Sequence, residues 1–388
     1  ALTACSGKES TPKEMPVVAH IEEVNGGRLT VCQLDLLTDT VDIPLSDLVE
    51  ELQFVKLDNR EEALVGMAPL YLSDNYILVG KGNQVPFKLF RRDGRFINKV
   101  GSIGQGPGEY QNIYDVQIDE KHGRIYLLPW ITNRILVYNL EGKYETYIPL
   151  NMKQENLLVP KGIFRVDADR NRVEVVLLPF NHLPVVAWVQ DMEGNVIHEV
   201  NDACLKIKPD FSNEVFSAKS SESLDVQIFT FWEMRKDTLY HWGMDNGKLS
   251  PRFTLDFGNR DITMHTYHEL YRHFIGTLTI PKQIGENMYS ATNEVFFMVD
   301  KQTKKGSFFR IANDYMDYAS IRYMPMHFKE GYYTENIEPT VLKERIQKAL
   351  DGGLEMEPGR KESLEKLLAD IDEDDNNYIF VGKLKTDY

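Results

Sequence analysis

The sequence predicts an all-β fold, a six-bladed β-propeller with a mixed N-/C-terminal closing blade and a small two-helix insertion. Three observations carry that expectation. An apolar or aromatic strand running into a glycine-containing turn and a second strand recurs five times, at Asp93-Gly94, Glu141-Gly142, Glu193-Gly194, Asn246-Gly247 and, more loosely, Lys305-Gly306. The turn glycines lie 48, 52, 53 and 59 residues apart, the length of one four-stranded propeller blade. Strand-like segments at 52–57 and 377–384 supply a sixth blade from the two ends of the chain, which would fasten the ring.

The elements follow in chain order. Leu2-Thr3-Ala4-Cys5 reads as a bacterial lipobox. Residues 1–4 would then be the residue of a signal peptide, and Cys5 the lipidation site. Residues 5–29, rich in Lys, Glu, Ser, Thr and Pro at their start, suit a lipid-anchored flexible tether. The propeller is expected over 30–388. Its second blade is the clearest: inner strand A at 115–118, B at 124–128, C at 134–138 and outer strand D at 144–148. Acidic or amide residues paired with Gly mark the first four C–D hairpins, because Gly takes the positive φ of tight turns. In the sixth blade, 377–384 reads as strand C and 52–57 as the outer strand. Between them, Val341, Leu342, Ile346, Ala349 and Leu350, then Leu364, Leu367, Leu368 and Ile371, recur at helical spacing. This 339–371 insertion interrupts the B–C connection, so it should stand beside the channel mouth as a lid, a docking surface or a cover for a sheet edge.

Gly101-Ser102-Ile103-Gly104-Gln105-Gly106-Pro107-Gly108-Glu109-Tyr110, with the blade running through Asn133-Arg134-Ile135, resembles the six-bladed propeller lipoproteins of Bacteroides-type bacteria. It is more distantly similar to NHL-repeat propellers. The lead-in at 42–49 and the final Val381-Gly382-Lys383-Leu384-Lys385 fit the same family, and the resemblance covers about 30–388. It implies the fold and a place in the cell envelope, with a role near glycan or peptide uptake; most members have no assigned activity.

Composition narrows the function classes. Lys plus Arg number 44 against 59 Asp plus Glu, a net charge of −15, which opposes nucleic acid and anionic lipid surfaces. Three cysteines exclude a disulfide scaffold; Cys32 and Cys204 read as separately buried thiols. The glycine run at 104–108 precedes a strand, so it offers no helix N-terminus to a phosphate. The cluster His265, His268 and His273 lacks the zinc-protease spacing and reads as surface histidines on a short inter-blade helix. The acidic run at 370–375 lacks the EF-hand pattern and reads as a solvated helix end. Trp188, Trp232 and Trp242 lie in strands and are expected in inter-blade core.

The best candidate site is the channel mouth, where D–A and B–C loops meet. Gln105, Glu109 and Tyr110 come from one D–A loop, Trp130, Asn133 and Arg134 from one B–C loop, and Asn181 with His182 from the next. Aromatic faces with amide and guanidinium groups can stack on and hydrogen-bond a sugar or an extended peptide. The expected protein is therefore a lipid-anchored, outer-membrane propeller facing periplasm or cell exterior. It would act as a binding or interaction module, without a cofactor, held in the membrane by lipid on Cys5. A calcium-dependent propeller hydrolase or lyase using Glu109, Asp115 and Asn133 is the alternative. A pure scaffold docking a protein partner through the 339–371 helices is the third reading.

Overall fold

The computed structural model describes residues 15–130, 133–151, 161–183, 185–200, 205–219, 224–231, 233–243, 247–285, 288–316, 327–351 and 358–386. Six small sheets form the ring. Blade 1 holds Leu70–Leu72, Tyr76–Val79, Phe87–Arg91 and Phe96–Val100 as strands A to D. Blade 2 holds Ile113–Asp119, Arg124–Pro129, Arg134–Asn139 and Tyr144–Pro149. Blade 3 holds Gly162–Asp167, Arg172–Leu177, Ala187–Gln190 and Val196–Val200. Blade 4 follows with Glu214–Phe216, Leu224–Phe229, Thr238–Gly243 and Lys248–Asp256, and blade 5 with Met264–Glu269, His273–Gly285, Met288–Asp300 and Gly306–Ala312. Each is an antiparallel meander.

The N-terminal segment wraps the rim. Strands β1 (Ala19–Val24) and β2 (Gly27–Gln33) form a hairpin, and β2 pairs in parallel with strand D of blade 4, Cys32 opposite Leu255. Strand β3 (Thr40–Pro44) pairs in parallel with strand D of blade 5, Ile43 opposite Ile311. A single helical turn, α1 (Leu45–Leu48), leads into β4 (Val49–Lys56), which pairs with Tyr378–Leu384 as the outer strand of blade 6. Inside it lie Tyr332–Ile337 and the short inner strand Phe328–Lys329. Three sheet edges that would face solvent are thus covered by one continuous strap. The tether expected to reach residue 29 is therefore shorter, since Ala19–Val24 already lies in a sheet. Cys5 and Cys204 fall outside the described residues; Cys32 is buried, and burial pushes its thiol up to about 12.

Seams between blades combine apolar packing with polar stitches. Tyr126, Val137, Phe164, Trp188, Val226 and Trp242 join blades 2, 3 and 4 in one core; Trp232 lies outside the described residues. Gln117 on strand A of blade 2 pairs with the backbone of Val166 in blade 3, accepting from its N–H and donating to its carbonyl at 2.8 Å each. Gln227 in blade 4 accepts from the Tyr267 N–H at 2.6 Å. These amides treat the neighbouring inner strand as another strand would.

Two turn glycines are required by close approach to backbone as well as by φ. Gly142 has φ 78°, and a Cβ there would stand 2.3 Å from the Lys99 carbonyl oxygen on strand D of blade 1. Gly94 repeats the contact with Lys56 one blade earlier, at 2.0 Å. The C–D turns of blades 1 and 2 therefore dock backbone to backbone on the blade before, whereas a Cβ at Gly247 would stand 2.6 Å from the His198 side chain. Gly142→Ala is expected to cost roughly 1–3 kcal/mol in urea denaturation. Gly123→Ala, with φ 68° but nothing within 4 Å, is expected to cost only the left-handed penalty of roughly 1 kcal/mol. The fifth turn differs: the positive φ belongs to Lys304, while Gly306 begins strand D, where its N–H donates to the Pro16 carbonyl at 3.0 Å. That glycine makes room for the strap.

Helices α2 (Pro339–Asp351) and α3 (Pro358–Asp370) stand in the B–C connection of blade 6, at the expected place. Leu342, Ile346, Ala349, Leu364 and Ile371 are buried in the core shared with Phe309, Ile311, Tyr333 and Phe380 of blades 5 and 6. The acidic run beyond α3 is only partly solvated: the Asp375 side chain is buried, meets Lys56 Nζ at 2.7 Å and accepts from the Tyr378 hydroxyl at 2.8 Å. The histidine segment requires the larger correction. His265 and His268 lie on strand A of blade 5 and His273 opens strand B; all three are buried. Their helical spacing misleads because a seam lined with charged partners can take polar residues on an inner strand.

Candidate functional site

The D–A connection between blades 1 and 2 carries a small pairing of its own. Ser102–Ile103 and Glu109–Tyr110 form a short parallel pair, so the glycine run between them folds back on itself. The Glu109 carboxylate closes this loop, accepting from the Gly106 N–H at 2.9 Å and the Ser102 hydroxyl at 3.3 Å. Tyr110 is buried; its hydroxyl donates to the Val100 carbonyl at 2.6 Å and accepts from the Phe87 N–H at 3.0 Å. Burial raises that phenol above its ordinary range. Gly108, at φ 72°, lets the loop pass the Tyr144 ring, which a Cβ would meet at 2.5 Å.

The loop forms one wall of a cleft of about 620 Å³. The facing wall is blade 2: Trp130 from its B–C loop, Arg134 on strand C, and Tyr144 and Tyr147 on strand D. Trp130 is half-buried. Its ring lies 5.8 Å from Phe211 and 5.7 Å from Lys161 Nζ, and its backbone N–H donates to the Asn112 carbonyl at 2.8 Å. The Arg134 guanidinium sits 5.2 Å above the Tyr147 ring, and Tyr147 is 47% exposed. Gln105, Gln111 and Asn112 add amides to the lining. The result is a mostly open cleft with flat aromatic surfaces, a cation and amides, suited to stacking and multiple hydrogen bonds.

The structure brings Gln105, Glu109, Tyr110, Trp130 and Arg134 to this one cleft. Asn133 is exposed beside Arg134, its carbonyl accepting from the Leu150 N–H at 2.7 Å. Asn181 and His182 are exposed one blade further on, where His182 packs 5.8 Å from Phe180. Sequence reasoning missed Tyr147, whose signal is its place on an outer strand rather than in a loop. Cys5 lies outside the described residues. The three calcium candidates take different partners. Asp115 runs into the axis, accepting from the Phe164 N–H at 2.9 Å and from Lys219 Nζ at 2.7 Å, while Glu109 closes its own loop. Among the described residues no three His, Cys, Asp or Glu side chains gather as a metal-holding group.

Over residues 30–383 the sequence matches a family described as a domain of unknown function, DUF4934. The chain belongs to the DUF4934 family. An exported protein of Bacteroides fragilis shares the fold of this DUF4934 chain, with TM-score 0.55 and 16% identity, over 92% of this chain and 100% of that one. A DUF4221 member from Bacteroides vulgatus aligns with TM-score 0.48 and 11% identity over 87% of this chain and 98% of that one. No curated protein matches the sequence. No helix among the described residues of this DUF4934 protein is long and apolar enough to cross a membrane.

Proposed function

We propose that this DUF4934 chain is an envelope propeller, anchored by lipid on Cys5, that binds an extended polar ligand, a glycan or a peptide, in the cleft between blades 1 and 2. The observation that carries this reading is the convergence of Trp130, Tyr147 and Arg134 with the amides of Gln105, Gln111 and Asn112 around 620 Å³ of open space. The lipobox-like Leu2-Thr3-Ala4-Cys5 and the exported Bacteroides fragilis relative of the same fold support the address. Binding rather than catalysis is favoured because Glu109, the one carboxylate that lines the cleft among the described residues, already holds the loop's own N–H and hydroxyl.

Calorimetric titration of the soluble chain against oligosaccharide and peptide panels tests this. A ligand of the cleft is expected to lose at least tenfold in affinity in Trp130→Ala, the effect of removing a central aromatic contact, and to raise the melting temperature of the parent protein by mass action. Binding that survives Trp130→Ala and Tyr147→Ala unchanged would place the ligand elsewhere.

A further inference from the structure

The inner strands of blades 1, 4, 5 and 6 line a second cavity, of about 480 Å³. Leu70, Phe216, Phe229 and Phe328 give it apolar walls. Phe216 is 37% exposed and stands 5.9 Å from Phe229. A volume in the range of small-molecule sites, walled by aromatic rings with few polar groups, is the general form of a ligand pocket.

Blade 5 supplies the polar wall. Strand alternation and register put Thr266 and His268 of strand A on the same face as Thr277 of strand B, and all three line the cavity. Thr266 Oγ1 and His268 Nδ1 are buried atoms with no hydrogen-bond partner among the described residues. Other polar side chains near the axis are paired: Gln117 takes the Val166 N–H at 2.8 Å, and Asp225 takes the Ser217 hydroxyl at 2.8 Å. Buried polar atoms cost free energy unless something polar meets them, so these two mark where the polar end of a ligand belongs. Burial holds the His268 imidazole neutral, its pKa down to about 4. A neutral imidazole and a hydroxyl can each donate and accept, and the group that complements both is another hydroxyl.

The charges around the cavity select against ions. Lys329 stands among Asp115, Asp225 and Glu330, with Lys219 as the second cation of the cluster, and Glu294 lines the cavity as well. An incoming ion of either sign therefore faces a like charge, and taking it out of water costs far more than taking a hydroxyl.

We infer that this cavity binds a neutral apolar molecule bearing one hydroxyl, its hydrocarbon body against Phe216, Phe229 and Phe328 and its hydroxyl at Thr266 and His268. The site is separate from the cleft between blades 1 and 2 and stands independently of the function proposed for it.

The probes are p-cresol, its isostere p-xylene, 4-methylbenzoate and 4-methylbenzylammonium, each titrated calorimetrically into the full chain at neutral pH. The cresol is expected to bind with one-to-one stoichiometry, roughly tenfold more tightly than the xylene, which keeps the shape and loses the hydroxyl. Both ions should bind more weakly than the cresol. Thr266→Val keeps the shape of the side chain and removes an oxygen that has no partner, so the melting temperature should not fall. The same variant should weaken the cresol roughly tenfold and leave the xylene unchanged. His268→Leu should likewise erase the preference for cresol over xylene. The inference is overturned if the cresol does not bind the parent chain, if the xylene or either ion binds as tightly, or if either variant binds the cresol as well as the parent does. A lower melting temperature in Thr266→Val would overturn it too, by showing that the hydroxyl already has a partner in the fold.

Discussion

Glu269→Ala is expected to lower stability by about 3 kcal/mol, the cost of removing one partner from a buried ionic cluster. Glu269 ends strand A of blade 5 and is buried. Its carboxylate meets His241 Nε2 at 2.7 Å and Arg252 at 3.0 Å, both from blade 4, and Lys301 Nζ at 2.9 Å from the C–D turn of its own blade. Burial alone would raise its pKa, but the contacts with His241 and Arg252 outweigh burial and hold the carboxyl well below the usual range. A carboxylate depressed in the folded state stabilises above its unfolded pKa of roughly 4.3, and that contribution is lost as pH falls through the lower folded value. Equilibrium urea unfolding at pH 7 measures the effect, and Glu269→Gln, which keeps the shape and two hydrogen-bonding atoms, should lose less. A loss below about 1 kcal/mol for the alanine variant, the scale of an exposed pair, would mean that Arg252 and Lys301 find water when the carboxylate is gone. The blade 4–5 seam would then rest on packing such as that of Phe253, Tyr267 and Phe274 and on the Gln227 stitch to Tyr267.

The same strand shows where the sequence could be read and where it could not. Blade strands were legible because each alternates under a glycine turn, and the turn itself is fixed by φ and by the preceding blade's backbone, as at Gly142. The sixth blade was legible because Val55 and Leu57 are buried with Ile379 and Val381 and Leu52 with Phe380, leaving an apolar rhythm at both ends of the chain. The strap was not. Ala19–Val24 carries Glu22 and Glu23 on an outermost strand that is exposed along most of its length, so nothing in it alternates and it reads as tether. His265 and His268 were misread for the converse reason: they are polar yet buried on an inner strand, and the partner that His265 meets, the Asp237 N–H at 3.2 Å in blade 4, is supplied only by the closed ring. In the cleft, loop composition pointed to Gln105, Trp130 and Arg134, but the angle of each loop around the ring is set by blade geometry, which separates Asn181 and His182 from them.

Closure of the ring carries the largest expected effect. A chain beginning at residue 58 lacks β4 and the strap, and with β4 it loses the buried side chains of Val49, Leu52, Val55 and Leu57. At roughly 1.5–3 kcal/mol for each fully buried aliphatic side chain, these four contribute about 6–12 kcal/mol, comparable with the whole stability of a typical domain, about 5–15 kcal/mol. The truncation also strips strand C of blade 6 of its ladder from Val49 to Lys56, separates the Phe54 ring from Phe380, 4.5 Å away, and frees the buried Asp375 side chain from Lys56. Such a chain is expected to show no cooperative transition in scanning calorimetry, where the full chain shows one. A cooperative melt from the truncated chain would locate the fastening instead in the stitches between inner strands. Gln117 and Gln227 already bind neighbouring blades without any help from the rim. The distinction matters physically because a ring fastened at its outer edge can open only by stripping a strand, whereas one fastened at its axis opens by separating two blades at a seam.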